Sequence, residues 1–317
     1  MNSLGESTLT SLDEIYCEVR DMKLKPIEVK KFISNVKDLL IDEREKSYRI
    51  NYGVILPGEG KFIVIGDIHG DIDTLLKILN QSKALRVLSN GGYLVFLGDY
   101  IDRGPYQLES LLLVLRLKYM YPENVVVLRG NHEPPPGLIP YPHDFTFHLY
   151  RYYGRSVGEE LYKEFFQLFQ ELPYVCIAKN SILFLHGGPP TTTTENISLK
   201  KYLSLNKDKP DFNVLEEILW NDPVEYVMEW ELSPRGAGKL FGPKITERAL
   251  KITNTKIIVR GHEPCEEGFK LNHKDRVVTL FSRVGPPYFN SKAAYMVINT
   301  TYHEWWMDLE SWIKKIE

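Results

Sequence analysis

Five short motifs combine carboxylate, imidazole or amide side chains with glycine, and each one follows an apolar run. The motifs are GDIHG (66–70), GDYIDRG (98–104), GNHE (130–133), HGG (186–188) and RGHE (260–263). Glycines beside polar side chains let the backbone turn sharply and approach a metal ion or a phosphate closely. Any one of these motifs is common by chance. Five of them in one chain, each at the end of an apolar run, indicate a shared metal site.

The polar residues of these motifs form a mixed donor set that suits Mn, Fe or Zn better than calcium, which prefers oxygen throughout. No cysteine lies within a motif, which argues against a structural zinc site. Two ions ~3.5–4 Å apart would clamp a phosphate and share a nucleophilic water of lowered pKa. Asp99 is the natural bridge, because one carboxylate can bind two cations. The candidate ligands are Asp67, His69, Asp99, Asn131, His186 and His262.

The elements that must position these residues are short β-rich runs that alternate with helical stretches from Lys61 onward. This alternation predicts an α/β core with mixed sheets. Polar groups at strand ends project into the crevice beyond a sheet, where open α/β proteins place their ligands. The predicted strands are 62–65, 93–97, 124–128, 182–185, 257–259 and 277–281, and the predicted helices are 72–80, 106–120 and 159–170.

The two ends of the chain and one internal loop complete the predicted organisation. Residues 8 to about 50 have a mostly helical pattern in two pieces, and Pro26 suits the first turn of the second piece. The C-terminal segment 293–309 predicts two strands around a polar turn. Prolines in the segment 133–145 disfavour regular structure and predict a stiff loop.

The composition limits the class of protein. With 43% hydrophobic and 26% charged residues, the 317-residue chain is typical of a globular protein. A net charge of -3 argues against a bulk nucleic-acid partner. Three scattered cysteines are too few for a disulfide framework, so we expect a reducing, cytoplasmic location. We expect no membrane association, because no signal-peptide pattern or apolar run of ~20 residues is present.

The order of the five motifs resembles the phosphoprotein phosphatase family of metal-dependent serine/threonine phosphatases over roughly residues 30 to 300. WNDP (220–223), FG (241–242) and TLFS (279–282) have family counterparts in the same order. The resemblance implies a calcineurin-like metallophosphoesterase fold of the α/β (α+β) class, with a central β-sandwich of mixed sheets flanked by helices.

The resemblance also implies a single catalytic domain over residues 1–317, with 1–55 as an N-terminal helical extension packed on it. In the family, residues that match Asp67, His69 and Asp99 bind one metal ion, and residues that match Asp99, Asn131, His186 and His262 bind the other. We therefore expect two divalent ions, with Mn as the first choice and Fe or Zn as alternatives.

Five further residues acquire catalytic or phosphate-binding roles from the resemblance. His132 matches the general acid that protonates the leaving oxygen, and Asp102 matches the carboxylate that orients it. Arg103 and Arg235 match the phosphate-binding arginines. Tyr288 matches the family's site tyrosine within a divergent segment, FSRVGPPYFN, that lacks the neighbouring cysteine used by some toxin inhibitors. An Asp–His pair fixes the imidazole tautomer, and the planar guanidinium fork suits phosphate oxygens.

The implied reaction is hydrolysis of phosphomonoesters in phosphorylated proteins or peptides, by attack of a hydroxide that bridges the two metal ions. Family members often use regulatory subunits, but no docking surface is evident in this sequence. Two alternatives remain. One is a nucleotide hydrolase for dinucleoside polyphosphates or cyclic nucleotides, disfavoured by WNDP and TLFS. The other is a catalytically silent phospho-binding module, against which the intact ligand set argues.

Some features depart from the eukaryotic pattern and favour a prokaryotic, archaeal-type branch. A proline-rich loop, 134–142, follows GNHE directly, where it either reshapes the mouth of the site and its substrate preference or serves only as structure. Arg129 and Arg260 flank candidate ligands, and either phosphate neutralisation or a structural role fits them.

Overall fold

Two β-sheets and the helices on their outer faces dominate the computed structural model, which describes residues 11–191 and 211–317. Among the described helices, none has the length and apolar character needed to cross a membrane. The helices are α1 Leu12–Lys23, α2 Pro26–Glu43, α3 Ile72–Gln81, α4 Ala84–Ser89, α5 Gln107–Met120, α6 Phe145–Glu171 (interrupted at Gly154), α7 Phe212–Trp220 and α8 Pro243–Thr253.

The strands form one five-stranded, one seven-stranded and one three-stranded sheet within the described residues. Their bounds are β1 Arg49–Ile50, β2 Gly53–Leu56, β3 Lys61–Ile65, β4 Tyr93–Phe96, β5 Val125–Val127, β6 Val175–Ala178, β7 Ile182–Leu185, β8 Asp222–Pro223, β9 Trp230–Leu232, β10 Lys239–Phe241, β11 Ile257–Arg260, β12 Phe269–Asn272, β13 Val277–Leu280, β14 Ala293–Asn299 and β15 Ile313–Ile316.

Both large sheets contain parallel and antiparallel pairs. The five-stranded sheet has the order β15-β14-β3-β4-β5, with β3, β4 and β5 parallel and β14 antiparallel to β3. The seven-stranded sheet has the order β1-β2-β6-β7-β11-β13-β12, with β7, β11 and β13 parallel. The three-stranded sheet has the order β8-β10-β9. The expected mixed sheets are therefore confirmed.

The core is layered because side chains along a strand alternate between the two faces of its sheet. In β3, Phe62 and Val64 lie between the two large sheets, whereas Ile63 and Ile65 pack under helices on the outer face. In β7, Phe184 faces the other sheet and Leu183 packs under α7 and α8. Burial on both faces explains why these strands are continuous apolar runs in the sequence. The expected β-sandwich flanked by helices is confirmed.

From residue 11 onward the N-terminal segment is helical as predicted, and residues 8–10 of that prediction lie outside the described residues. The chain then continues into strands that the sequence pattern did not reveal. Helix α1 starts with a capping box between Ser11 and Glu14, and Pro26 occupies the first turn of α2. Helix α2 packs against α6. Strands β1 and β2 then join the seven-stranded sheet, but they are too short for a clear period-two pattern. The single domain over 1–317 with an extension over 1–55 remains a prediction.

The predicted second C-terminal strand within 293–309 is wrong. Strand β14 ends at Asn299, and the next strand, β15, begins only at Ile313 after a 3₁₀ turn. Trp305 and Leu309 lie in the intervening segment and insert into the core between the sheets. Their apolar spacing therefore reflects burial of an irregular segment rather than strand pairing.

The carboxyl ends of five strands bring the five motifs to one edge of the sandwich. Strands β3, β4 and β5 of one sheet end at the first three motifs, and β7 and β11 of the other sheet end at the last two. A bridge between Asp67 and Phe281 joins the two sheets there. The Gly66 amide also donates to the Ser282 hydroxyl over 2.7 Å. The crevice for ligands therefore lies where the two sheets meet.

We expect Phe184→Ala to destabilise the sandwich, because Phe184 is fully buried between the sheets. Truncation of a buried phenylalanine costs ~3–5 kcal/mol, and urea denaturation would measure the change in the free energy of unfolding. Leu232→Ala is the matched control, since Leu232 is 77% exposed and should change stability by less than ~0.5 kcal/mol. Equal effects of both variants would contradict the assigned core.

Candidate metal centre and acid pair

The strand ends approach one another so closely that glycine is required between them. A Cβ atom on Gly130 would lie 2.2 Å from Asp99 Oδ1, and one on Gly98 would lie 2.5 Å from Gly130 Cα. Both distances are far below contact distance, so larger residues would separate the motifs. Glycine at these two positions therefore allows the side chains of different strands to share one site.

Two of the predicted histidine ligands are oriented by backbone carbonyls. His69 donates its Nδ1 proton to the Ile101 carbonyl over 2.7 Å, and His186 donates its Nδ1 proton to the Leu97 carbonyl over 2.9 Å. Each bond leaves the Nε2 lone pair directed into the crevice. Burial lowers the pKa of both imidazoles well below the usual range, so they remain neutral. Neutral imidazole is the form that binds a metal ion.

The amide of Asn131 faces a set of acceptor atoms. Its Oδ1 lies 2.9 Å from His186 Nε2, 3.0 Å from His262 Nδ1 and 3.1 Å from Asp99 Oδ2. The amide either turns its NH₂ group toward these atoms or keeps its oxygen there beside a cation. The His262 backbone amide also donates to Asp67 Oδ1 over 2.9 Å. These contacts join the ligands predicted for the two metal ions into one cluster.

Three carboxyl groups are buried in this cluster, and a cation would stabilise their ionised forms. Burial raises the pKa of Asp67 to about 7 and that of Glu133 to about 7. Burial and then the Asp67 charge raise the pKa of Asp99 well above its usual range. His69 Nε2 lies 3.4 Å from Asp99 Oδ2, and His186 Nε2 lies 3.4 Å from Asp99 Oδ1. The six predicted ligands thus fit a metal centre, with Asp99 between its two halves.

Glu133 holds the backbone around this centre in place, a role that was not predicted from its motif. Its carboxylate accepts hydrogen bonds from the backbone amides of Asp99, Tyr100 and Gly130 at 2.9, 2.8 and 3.0 Å. It therefore fixes the turns that follow β4 and β5. The one sequence signal was its position as the last residue of GNHE.

Several site residues have backbone conformations that are strained for residues with a Cβ atom. Such left-handed conformations cost about 1–3 kcal/mol each and persist only where the surrounding contacts require them. Their clustering at the strand ends agrees with a site shaped for ligand geometry rather than for local stability. The residues are His69, Asp99, Asp102, Arg103 and His262, with φ between 43° and 74°.

The predicted acid pair is formed directly beside the ligand cluster. His132 Nδ1 lies 2.6 Å from Asp102 Oδ2, and the His132 backbone amide donates to Asp99 Oδ1 over 2.9 Å. Burial lowers the pKa of His132, and Asp102 opposes this shift. Burial by itself would raise the pKa of Asp102, but hydrogen bonds from His132 and His143 hold it well below its usual range. Asp102 therefore remains ionised.

Arg103 and Tyr288 lie on the His69 side of the cluster. The Tyr288 hydroxyl lies 3.2 Å from His69 Nε2, and the nearby Arg103 charge partly offsets the effect of burial on the Tyr288 pKa. Arg103 Nη1 donates to the Pro142 carbonyl over 3.1 Å. Burial raises the pKa of Tyr288 to about 12, so its hydroxyl keeps its proton. The proximity to His69 brings the divergent segment around Tyr288 into the site.

Arg235 lies on the opposite, His262 side. Its Nε forms an ion pair with Asp222 Oδ2 at 2.9 Å, and Asp222 Oδ1 lies 3.9 Å from His262 Nε2. Asp222 also pairs with Arg260 Nη2 at 2.8 Å. The aspartate of the WNDP motif is therefore a buried carboxylate that pairs with two arginines beside His262.

The structural interpretation of Arg129 and Arg260 is correct, since both guanidinium groups are buried and bonded within the protein. Arg129 donates to the Glu133 carbonyl over 2.6 Å and to Gln170 Oε1 over 3.0 Å. Arg260 donates to the Gly187 carbonyl over 2.7 Å in addition to Asp222. Neither arginine has its donors directed toward the ligand cluster.

All predicted site residues lie in or beside this one crevice, but their roles in binding and catalysis remain predictions. Sequence reasoning missed His143, whose Nδ1 lies 2.7 Å from Asp102 Oδ2. It also missed Asp144 and Phe145, whose backbone amides both donate to Asp102 Oδ1 over 2.9 Å. No motif marked them, because their segment looked like an irregular loop.

The chain is similar to known phosphoesterases in sequence. A family model described as calcineurin-like phosphoesterase matches residues 60–266. The chain is 33% identical over 277 residues to the serine/threonine-protein phosphatase 4 catalytic subunit of Saccharomyces cerevisiae. That match covers 86% of this chain and 83% of the yeast protein.

Solved structures share the fold. A protein serine/threonine phosphatase from Saccharomyces cerevisiae has a TM-score of 0.76 and 24% identity, with 97% of this chain and 96% of that chain covered. A cold-active protein-tyrosine phosphatase of a psychrophilic Shewanella species has a TM-score of 0.53 and 19% identity, with 77% of each chain covered. At these identities the likeness shows a common fold alone.

We expect Asp99→Asn to reduce metal binding, because a neutral amide cannot offset two divalent charges. Metal content by mass spectrometry should fall from about two ions per chain to below about one. Asp222→Asn is the matched control, since Asp222 is also buried but pairs with arginines. Full occupancy in the Asp99 variant would contradict the assignment of Asp99 as the bridge.

Proposed function

Because the chain belongs to the calcineurin-like phosphoesterase family, we propose that it is a serine/threonine protein phosphatase acting on phosphorylated proteins or peptides. The observation that carries the proposal is the His132–Asp102 pair, 2.6 Å apart beside the ligand cluster. A serine or threonine alkoxide is a poor leaving group, so a positioned proton donor accelerates its departure by ~10²–10⁴-fold. The relative with 33% identity is named as a serine/threonine phosphatase.

In this proposal two divalent ions, Mn with Fe or Zn as alternatives, supply a hydroxide nucleophile and neutralise phosphate charge when bound. The chemistry of the donors supports this, since neutral imidazoles, buried carboxyl groups and one amide oxygen converge there. Asp99 would contribute to both ions. Asp67 and His69 would complete one set of ligands, and Asn131, His186 and His262 would complete the other.

The proton for the leaving oxygen would come from Nε2 of His132. Its Nδ1 is engaged by Asp102, which fixes the tautomer and favours the protonated imidazole. Burial opposes protonation of His132, but the negative phosphate of a bound substrate would add a second charge in its favour. Asp102 would act by orienting the imidazole and by balancing its charge.

The phosphate oxygens would be held from two sides. Arg103 lies near the Tyr288 hydroxyl that contacts His69, and Arg235 is paired with Asp222 near His262. A planar guanidinium can donate two parallel hydrogen bonds to a phosphate. The Tyr288 hydroxyl would add a neutral donor beside Arg103. Such binding from both sides would hold the phosphorus in line between the nucleophile and the leaving oxygen.

The setting that we propose is a single catalytic domain over residues 1–317, with 1–55 as its N-terminal extension, in the cytoplasm. All three cysteines are free, which suits a reducing compartment. The net charge of -3 argues against a bulk nucleic-acid partner. A nucleotide hydrolase on the same metal site is not favoured, because the curated relative is a protein phosphatase.

We expect the Mn²⁺-loaded protein to hydrolyse phosphoserine and phosphothreonine peptides, and His132→Asn to lower kcat by ~10²–10⁴-fold. The asparagine retains polarity and approximate shape but cannot donate the proton from the position of Nε2. Phosphate release from phosphopeptides, a dinucleoside tetraphosphate and a cyclic nucleotide would be compared. Preferred turnover of either nucleotide would overturn the proposed substrate class, and an unchanged kcat for the variant would overturn the role of His132.

We expect Arg103→Ala and Arg235→Ala each to lower kcat/KM for phosphopeptides by ~10–100-fold, because a hydrogen bond to a charged group contributes ~1.5–3 kcal/mol. Competitive inhibition by inorganic phosphate should weaken in parallel. Arg155→Ala is the control, since Arg155 is an exposed arginine of α6. A phosphate affinity equal to that of the wild type would exclude either arginine from phosphate binding.

A further inference from the structure

Residues 142–145 join the proline-rich loop to α6 and pack against the acid pair. The Pro142 carbonyl accepts a hydrogen bond from the Arg103 guanidinium. The carboxylate of Asp144 accepts from the Arg103 backbone amide over 3.3 Å and from the Gln107 side chain over 3.1 Å. Four successive residues, 142–145, therefore contact the GDYIDRG turn or Asp102 itself. Directed hydrogen bonds, and not only surface packing, therefore fix this segment against the acid pair.

His143 uses both ring nitrogens in this segment. Its Nδ1 lies 2.7 Å from Asp102 Oδ2, and its Nε2 lies 2.8 Å from the Tyr162 hydroxyl. An ionised carboxylate only accepts hydrogen bonds, so the His143 Nδ1 must carry a proton. Tyr162 therefore holds the second ring nitrogen of the same imidazole. The side chain of His143 is 7% exposed.

The carboxylate of Asp102 accepts four hydrogen bonds, and three of them come from the 142–145 segment. Oδ2 accepts from the rings of His132 and His143, and Oδ1 accepts from the backbone amides of Asp144 and Phe145. These amides lie at the N-terminus of α6, where the helix dipole favours negative charge. Asp102 itself has a φ of 64°, a conformation that must be stabilised by its surroundings.

We propose that His143 is a positioning residue for the general acid: it fixes the Asp102 carboxylate and thereby directs His132 toward the leaving oxygen. The inference rests on the proposed function, because a proton donor matters only if the substrate has a poor leaving group. The second imidazole on Oδ2 prevents the carboxylate from rotating away from His132. Tyr162 holds the other ring nitrogen of His143, so the orientation extends from α6 through two aromatic rings to the acid.

A role in proton donation has a signature that loss of packing would not produce. A serine alkoxide must be protonated as it leaves, whereas nitrophenolate is stable as an anion and needs little general-acid assistance. A residue that acts through His132 therefore affects the first leaving group far more than the second. A residue that only holds the loop in place affects both esters alike.

The experiment measures kcat and KM of the Mn²⁺-loaded full chain with a phosphoserine peptide and with p-nitrophenyl phosphate. We expect His143→Ala to lower kcat for the peptide by ~10–100-fold, and for p-nitrophenyl phosphate by less than ~3-fold because the nitrophenolate hardly needs the acid. KM should stay constant in both cases, because both ring nitrogens of His143 contact protein groups, Asp102 and Tyr162. Asparagine can place an amide N–H near the position of Nδ1, so His143→Asn should restore most of the peptide activity.

Two further variants separate orientation from packing. Tyr162→Phe should produce a smaller loss with the same preference for the peptide, since it removes only the hydroxyl that fixes His143. His148→Asn is the matched control, because His148 lies in the first turn of α6 and packs against Phe145 and Tyr152 instead. This control should leave the ratio of the two kcat values as in the wild type.

Equal losses on both esters for His143→Ala would overturn the proposal, as would full activity on both. A selective loss that His143→Asn does not restore would also overturn it, since the bond to Asp102 would then be irrelevant. A wild-type protein that cleaves p-nitrophenyl phosphate but no phosphopeptide would instead overturn the proposed function. Glycerol phosphate would then replace the peptide as the ester with a poor leaving group, and the same kcat ratio would decide the role of His143.

Discussion

Lone pairs and carboxylates that repel one another are gathered at the edge of the sandwich, and this constraint governs the rest of the site. Asn131 Oδ1 lies 2.9 Å from His186 Nε2 and 3.1 Å from Asp99 Oδ2, with no shared proton in this orientation. Burial removes the water that would otherwise separate them. Divalent cations would bind these lone pairs and stabilise the ionised carboxylates. The folding stability of the protein and its metal binding are therefore coupled at this edge.

The two-sheet architecture makes this gathering feasible. A single sheet can direct only neighbouring strand ends into one crevice, whereas here three strands of one sheet and two of the other end at the same place. The parts are held in register by groups that do not bind metal. Glu133 fixes the turns after β4 and β5 through three backbone amides. Asp222 connects Arg235 and Arg260 beside His262.

The acid pair depends on a different part of the chain. Asp102 belongs to a strand-end motif, but three of the four hydrogen bonds to its carboxylate come from the segment that joins the proline-rich loop to α6. The sequence allowed two roles for this loop, substrate selection or a purely structural one. The proposed orientation of the general acid is a third role. A loop with this function needs stiffness, and its prolines provide it by fixing φ.

The sequence by itself determined most strands of the sandwich core, the chemical type of the site and its candidate ligands. Continuous apolar runs predict strands buried on both faces, and ligand-capable side chains directly after those runs share an edge by geometry. Only the tertiary structure decided that His143 contacts Asp102, that Glu133 supports the strand ends and that Trp305 fills the core outside any strand. Local sequence carries periodicity and turn preferences, which act over a few residues. Contacts between residues 41 positions apart, such as Asp102 and His143, depend instead on how the chain packs, and no local pattern encodes that.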